Sequence, residues 1–168
     1  MHHSRGGNLI DYTGKLTTRT ANLTNSKILW NSVLSTKDAK FMGIDISNYY
    51  LGTPMGRYEY MKMPLALFPN HIVKQYYLGE KAKNGFVYLE LRKAIYGLPQ
   101  AGFLANKLLK ERLEPHGYRE VQQIPGLWKH ITRPVQFSLV VYDFGVKYIG
   151  RKVLNILFSH YNNTTRLQ

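Results

Sequence analysis

A chain of 168 residues with 44% hydrophobic content is long enough for one domain with a real core, and this composition excludes a disordered chain. The lack of cysteine excludes disulfides and thiolate metal sites, and no run approaches the roughly 20 apolar residues of a membrane span. The 23 Lys+Arg against 10 Asp+Glu leave a net charge of +13. Residues 1–84 hold 11 basic and 5 acidic side chains and residues 85–168 hold 12 and 5, so the excess is no basic tail. A domain this basic expects a polyanion, most simply nucleic acid or nucleotide phosphates. The opening MHHSRGG has no apolar signal segment, so the expectation is an intracellular protein without a membrane partner.

Residues 1–16 are Gly-rich and polar and read as a loop. A helix is expected over Thr20–Leu34, capped by Asn22 or Thr20, with Leu23, Trp30, Val33 and Leu34 as its apolar face. Phe41–Ile46 reads as a strand buried on both faces. Residues 57–63 (RYEYMKM) alternate as a half-exposed strand that Pro64 stops, and residues 69–78 suggest a short helix. Asn84-Gly85 is a turn signal leading into the strand Phe86–Leu91. After Gly97-Leu98-Pro99 a helix runs to about Leu113, with Leu104, Leu108, Leu109 and Leu113 facing the core and Gly117 after its end. Short strands and turns fill 118–130. The stretch Gln136–Ile149 (QFSLVVYDFGVKYI) reads as a hairpin turning at Tyr142-Asp143-Phe144-Gly145. Residues 151–161 look weakly helical, and 162–168 read as a frayed tail. Strands mixed with helices and joined by hairpins indicate an α+β fold.

Two of the four aspartates interrupt the most strand-like segments: Asp45 in FMGIDI and Asp143 in the last hairpin. Two carboxylates held at one sheet edge repel each other unless a cation lies between them, and hard oxygen ligands of this kind suit Mg²⁺. Two acids at strand ends with ordinary hydrogen-bond partners remain the plainer alternative. The histidines are scattered singly, no serine lies in a nucleophile elbow, and no GK[ST] follows Gly6-Gly7. The thirteen tyrosines, interleaved with basic residues, could stack bases.

FMGIDISNYYLGTPM, then VYLELRKAIYGLPQAG, then GLWKH followed by FSLVVYDFGVKYIG together resemble a reverse transcriptase of the Ty1/copia retrotransposon type, from about Gly6 to about Tyr161. The resemblance implies a palm-like, mainly antiparallel sheet with helices packed on one face, partial fingers in residues 1–16, a palm over 17–161 and no thumb. It implies RNA-directed DNA synthesis on an RNA/DNA template-primer with dNTP substrates and two-metal Mg²⁺ chemistry. By the same resemblance Asp45 and Asp143 are metal-binding acids, and the backbone carbonyl of Ile46 is a further metal ligand. Tyr50 is a steric gate under the incoming sugar, and Gln100 touches the incoming nucleotide. The departure is Tyr142, which stands where the family carries the first of two adjacent aspartates. A phenol, with a pKa of about 10, is neutral near pH 7 and cannot replace a carboxylate on Mg²⁺. The expectation is therefore a degenerate, inactive copy. Alternatives are a non-catalytic basic nucleic-acid-binding module, or a relic without function.

Overall fold

The computed structural model describes residues 12–14, 16, 18, 20–46, 48–141 and 143–162. The loop expected over 1–16 and the tail over 162–168 lie largely outside them. The described chain is α+β and mainly antiparallel. A five-stranded sheet has the order β1-β7-β6-β5-β4, from Lys40–Asp45 (β1), Tyr118–Glu120 (β4), Leu127–His130 (β5), Val135–Val140 (β6) and Asp143–Tyr148 (β7). A separate two-stranded sheet pairs Pro54–Pro64 (β2) with Phe86–Lys93 (β3). Among the described residues the α-helices are Leu23–Leu34 (α1), Asn70–Gln75 (α2), Leu78–Lys81 (α3), Ala101–Leu113 (α4) and Arg151–Asn162 (α5).

Strand alternation divides the larger sheet into two faces. Phe144, Val146 and Tyr148 point to one side with Phe137 and Leu139, where Leu109 and Leu113 of α4 and Leu154 and Leu157 of α5 close the main core. Trp128 stacks on Phe137 at 5.7 Å, and both are fully buried. The weak helical pattern of 151–161 thus becomes a core helix, because two leucines three residues apart share a face. A second cluster gathers Tyr49, Tyr50, Met55, Ala94, Ala101 and Ala105. The helix α4 joins the two: its first turns supply alanines to one cluster and its last turns leucines to the other.

The resemblance implied helices on one face, but α1 lies on the opposite one. Lys147 alternates out of the core face, and its Nζ donates to Ser32 O (3.1 Å), Ser32 Oγ (2.9 Å) and Thr36 Oγ1 (2.8 Å) at the end of α1. An ammonium placed at a helix C-terminus also meets the negative end of its dipole. The apolar face expected for this helix is overturned as well. Leu23, Trp30 and Leu34 are 69, 61 and 89% exposed, and only Leu29 is buried. The helix docks through polar contacts that hydrophobic periodicity does not register. Its start is one turn later than the earliest expected, because the Asn22 side chain accepts from Asn25 N at 2.7 Å and fixes the cap there.

The strand β1 is also not buried on both faces. It is an edge strand whose Phe41, Gly43 and Asp45 are exposed while Met42 and Ile44 are half-buried against the core. The strand around 57–63 extends back to Pro54, and the expected helix over 69–78 divides into α2 and α3, where Tyr77 takes a left-handed φ of 53°. The turn at Asn84-Gly85 forms as expected, both residues having positive φ (51° and 76°).

Two local devices hold the connections. Gly126, at φ +74°, passes under the chain entering α1, and a Cβ there would overlap the backbone of Thr20 and Ala21. Ala21 N in turn donates to Leu139 O at 2.9 Å. The turn between β5 and β6 is held by His130, whose Nδ1 accepts from Thr132 N (3.0 Å) and Arg133 N (2.9 Å). Burial, and then the nearby Arg133 charge, push the His130 imidazole below its ordinary pKa.

Replacing Gly126 by Ala is expected to cost on the order of 3 kcal/mol or more, through both strain and overlap. Gly85→Ala, at positive φ but with open space around it, should cost only about 1 kcal/mol in urea unfolding. Because folded His130 binds its proton less readily than the unfolded chain, its contribution is whole above about pH 6.5 and declines as pH falls from there through the lowered pKa. His130→Asn keeps an acceptor for both N–H groups without a titrating ring. Unfolding at stepped pH should show that variant losing less stability below pH ~6.5 than the parent.

Candidate functional site

The β1–β7 register runs without a break from Lys40 opposite Tyr148 to Asp45 opposite Asp143. The two aspartates that the sequence separates by almost 100 positions are therefore direct cross-strand partners. Side chains so paired have Cβ atoms about 5 Å apart, and like charges there destabilise the pair. Both aspartates are exposed, at the end of the sheet face that also carries Gly43 and Gly145. On β6, Val140 pairs with Asp143, so the chain turns between these two residues, with Val141 in the turn. This corrects the expected turn at 142–145: Asp143, Phe144 and Gly145 belong to β7. Val141 adopts φ 58°, a strained value for a β-branched residue. A two-residue hairpin turn favours Asn or Gly at such a position, and the want of either hid the turn from sequence reading. Tyr142 itself lies outside the described residues.

Ile46 follows β1 directly, and its half-buried side chain packs against both hydrophobic clusters. The Tyr50 ring is buried, edge-on to Tyr49 at 5.5 Å and to Tyr96 at 4.7 Å. Its loop is tied down by Gly52 N to Asn48 O (2.8 Å), Thr53 N to Tyr50 O (2.8 Å) and Ala94 N to Thr53 O (2.9 Å).

Gln100 stands at the start of α4 and is only 1% exposed. Its Nε2 donates to Glu59 Oε1 at 3.1 Å, while its Oε1 is buried without a hydrogen bond. An unsatisfied buried carbonyl is costly, so this amide is held in place by its carboxylate partner. Glu59 is itself buried, and the exposed Arg57 brings its Nε to 3.9 Å from the same Oε1. Sequence reading missed Glu59 as a partner. Its signal was parity: Glu59 alternates with Met61 and Met63 rather than with Tyr58, Tyr60 and Lys62.

The structure thus brings Asp45 and Asp143 together, puts Ile46 beside Asp45, and buries Tyr50 and Gln100 among other side chains. Two carboxylates on adjacent strands suit one hard divalent cation. They fall short of an acid-rich site for two. Among the described residues no group of three or more His, Cys, Asp or Glu could hold a metal ion. No family model, curated protein or solved structure matches this chain.

If the pair attracts a cation, millimolar Mg²⁺ should raise the melting temperature of the parent chain and leave those of Asp45→Asn and Asp143→Asn unmoved. Without Mg²⁺, each variant should be as stable as the parent or up to about 1 kcal/mol more stable, because a like-charge pair is relieved. Equal Mg²⁺ shifts in all three proteins would remove the cation site.

Proposed function

We propose that this chain is a fragment of a retrotransposon polyprotein of the Ty1/copia type, its reverse-transcriptase palm with part of the fingers, and that this copy does not polymerise. The observation that supports the family reading most is the pairing of Asp45 with Asp143, joined to the three ordered motifs of the sequence. In such a palm, Mg²⁺ would be held by Asp45, Asp143 and the carbonyl of Ile46. Ions bound there would supply activation of a primer 3′-hydroxyl and neutralisation of the leaving pyrophosphate. The chain's own part is to present two carboxylates on neighbouring strands, with the Ile46 carbonyl directly after one of them. Tyr142 withholds the third acid, and a neutral phenol at that position leaves too little negative charge for two divalent ions. Gln100 would reach a nucleotide only by leaving Glu59, which is a further obstacle to activity.

A second reading, a basic module that binds nucleic acid without chemistry, is favoured by the net charge of +13. Its signature is a steep fall in affinity for a primer–template duplex with rising salt, as neutralised phosphates release counterions.

Incorporation of dNTP on poly(A)/oligo(dT) with Mg²⁺ or Mn²⁺ tests the first reading. The parent chain and Asp45→Ala should both be silent. Incorporation by the parent that Asp45→Ala abolishes would overturn the inactivity, whereas incorporation gained by Tyr142→Asp would identify that one side chain as what silences it.

A further inference from the structure

The two-stranded sheet presents a face that none of the chemistry above uses. Its register sets Tyr60 opposite Glu90, Lys62 opposite Tyr88 and Pro64 opposite Phe86, so these side chains share one side. Tyr58, two residues before Tyr60, joins them, with the Arg92 guanidinium 5.6 Å from its ring centroid. The other side carries Glu59, Met61, Val87 and Leu89, which are buried or half-buried. The outer tyrosines are not core residues: Tyr58, Tyr60 and Tyr88 are 45, 68 and 59% exposed. Cations are interleaved with the rings, Lys62 lying 4.2 Å from the Phe86 centroid.

The face is also pre-ordered. Tyr60 Oη donates to Glu90 Oε2 at 3.1 Å, and Arg92 Nε donates to Glu90 Oε1 at 2.6 Å. The one acid on this face is thereby engaged by a cation and a phenol, and its pKa is lowered by Arg92 first and Tyr60 second. A carboxylate so neutralised repels a phosphate less than a free one.

We propose that this face, formed by Tyr58, Tyr60 and Tyr88 with Lys62 and Arg92, is a stacking platform for single-stranded nucleic acid. This rests on the reading of nucleic acid as the partner and names where and in what form it binds. Flat rings with nearby cations take unpaired bases on their π faces and phosphates on their charges, with no need of base identity. Tyr58 and Tyr60 stand about 7 Å apart along their strand. An extended single strand can open its bases to that spacing, whereas a duplex holds them stacked at about 3.4 Å per step. The stacking site is on a different sheet from Asp45 and Asp143, so the two can be separated by mutation.

Fluorescence anisotropy with labelled (dT)20 and a 20-base-pair duplex, at low and raised salt, provides the test. The proteins compared are the parent chain, Tyr58→Ala/Tyr60→Ala/Tyr88→Ala and Tyr58→Phe/Tyr60→Phe/Tyr88→Phe, with thermal melts to verify that each is folded. The alanine variant should lose at least about 10-fold in affinity for (dT)20. The phenylalanine variant should stay within about 3-fold of the parent, since stacking needs the ring and not the hydroxyl. Duplex binding should change little in either. Equal (dT)20 binding by the alanine variant and the parent would overturn the platform while leaving nucleic-acid binding in place. Parent binding to duplex but not to (dT)20 would do the same. No binding of either nucleic acid at low salt would overturn the partner itself. A parent dimer that the alanine substitutions dissolve would make a second copy of the chain the occupant and also overturn the proposal.

Discussion

The pairing of β1 with β7 is the constraint on which the rest depends. Six consecutive residue pairs fix it, and Gly145 sits on the face opposite the main core, where a Cβ would lie 2.9 Å from both the Phe41 ring and Ser138 Oγ. A slip of one residue would turn Met42 and Ile44 out of the core and leave Asp45 without Asp143. The same register therefore sets the hydrophobic side of the edge strand and the geometry of the acid pair. Close packing on one side enforces an electrostatic conflict at the strand end.

Around that edge the helices divide the work unevenly. The last turns of α4 and the leucines of α5 close the main core by apolar burial. The helix α1 is held on the other face by a lysine, a serine and a threonine, together with a backbone contact made possible by Gly126. Of its larger apolar residues Leu29 is buried while Leu23, Ile28, Trp30 and Leu34 stay in solvent, where the Trp30 ring lies 6.4 Å from that of Phe41. At the start of α4 the Gln100–Glu59 hydrogen bond ties the helix to β2. Loss of Glu59 would leave the Gln100 amide with neither of its polar ends satisfied.

The charges are arranged with the same division. A strongly basic chain keeps two of its few acids side by side and exposed at the end of one sheet, and engages a third, Glu90, within a basic aromatic face on the other. A phosphate-rich ligand would be drawn to the chain as a whole and repelled locally by the Asp45–Asp143 edge unless a cation intervened. Attraction by the surface and chemistry at the edge are thus separable properties.

The α+β class, the helix α4, the turn at Asn84-Gly85 and the apolar strands of the last hairpin were legible in the sequence, because each rests on local spacing or local turn chemistry. So were Asp45 and Asp143 as residues out of place in apolar strands. What only the tertiary structure decided was their meeting, since strand register is set by long-range packing. The same holds for α1, which chose its face through Lys147 from a strand more than 100 residues away. Gln100 and Glu59 gave no sign of each other for the same reason. The hairpin turn moved to Val141 because β7 pairing holds Asp143, and tertiary contacts can sustain a strained φ that local preference would refuse. Local preferences act within a few residues and are readable from sequence, whereas contacts between distant residues arise only when the whole chain has packed.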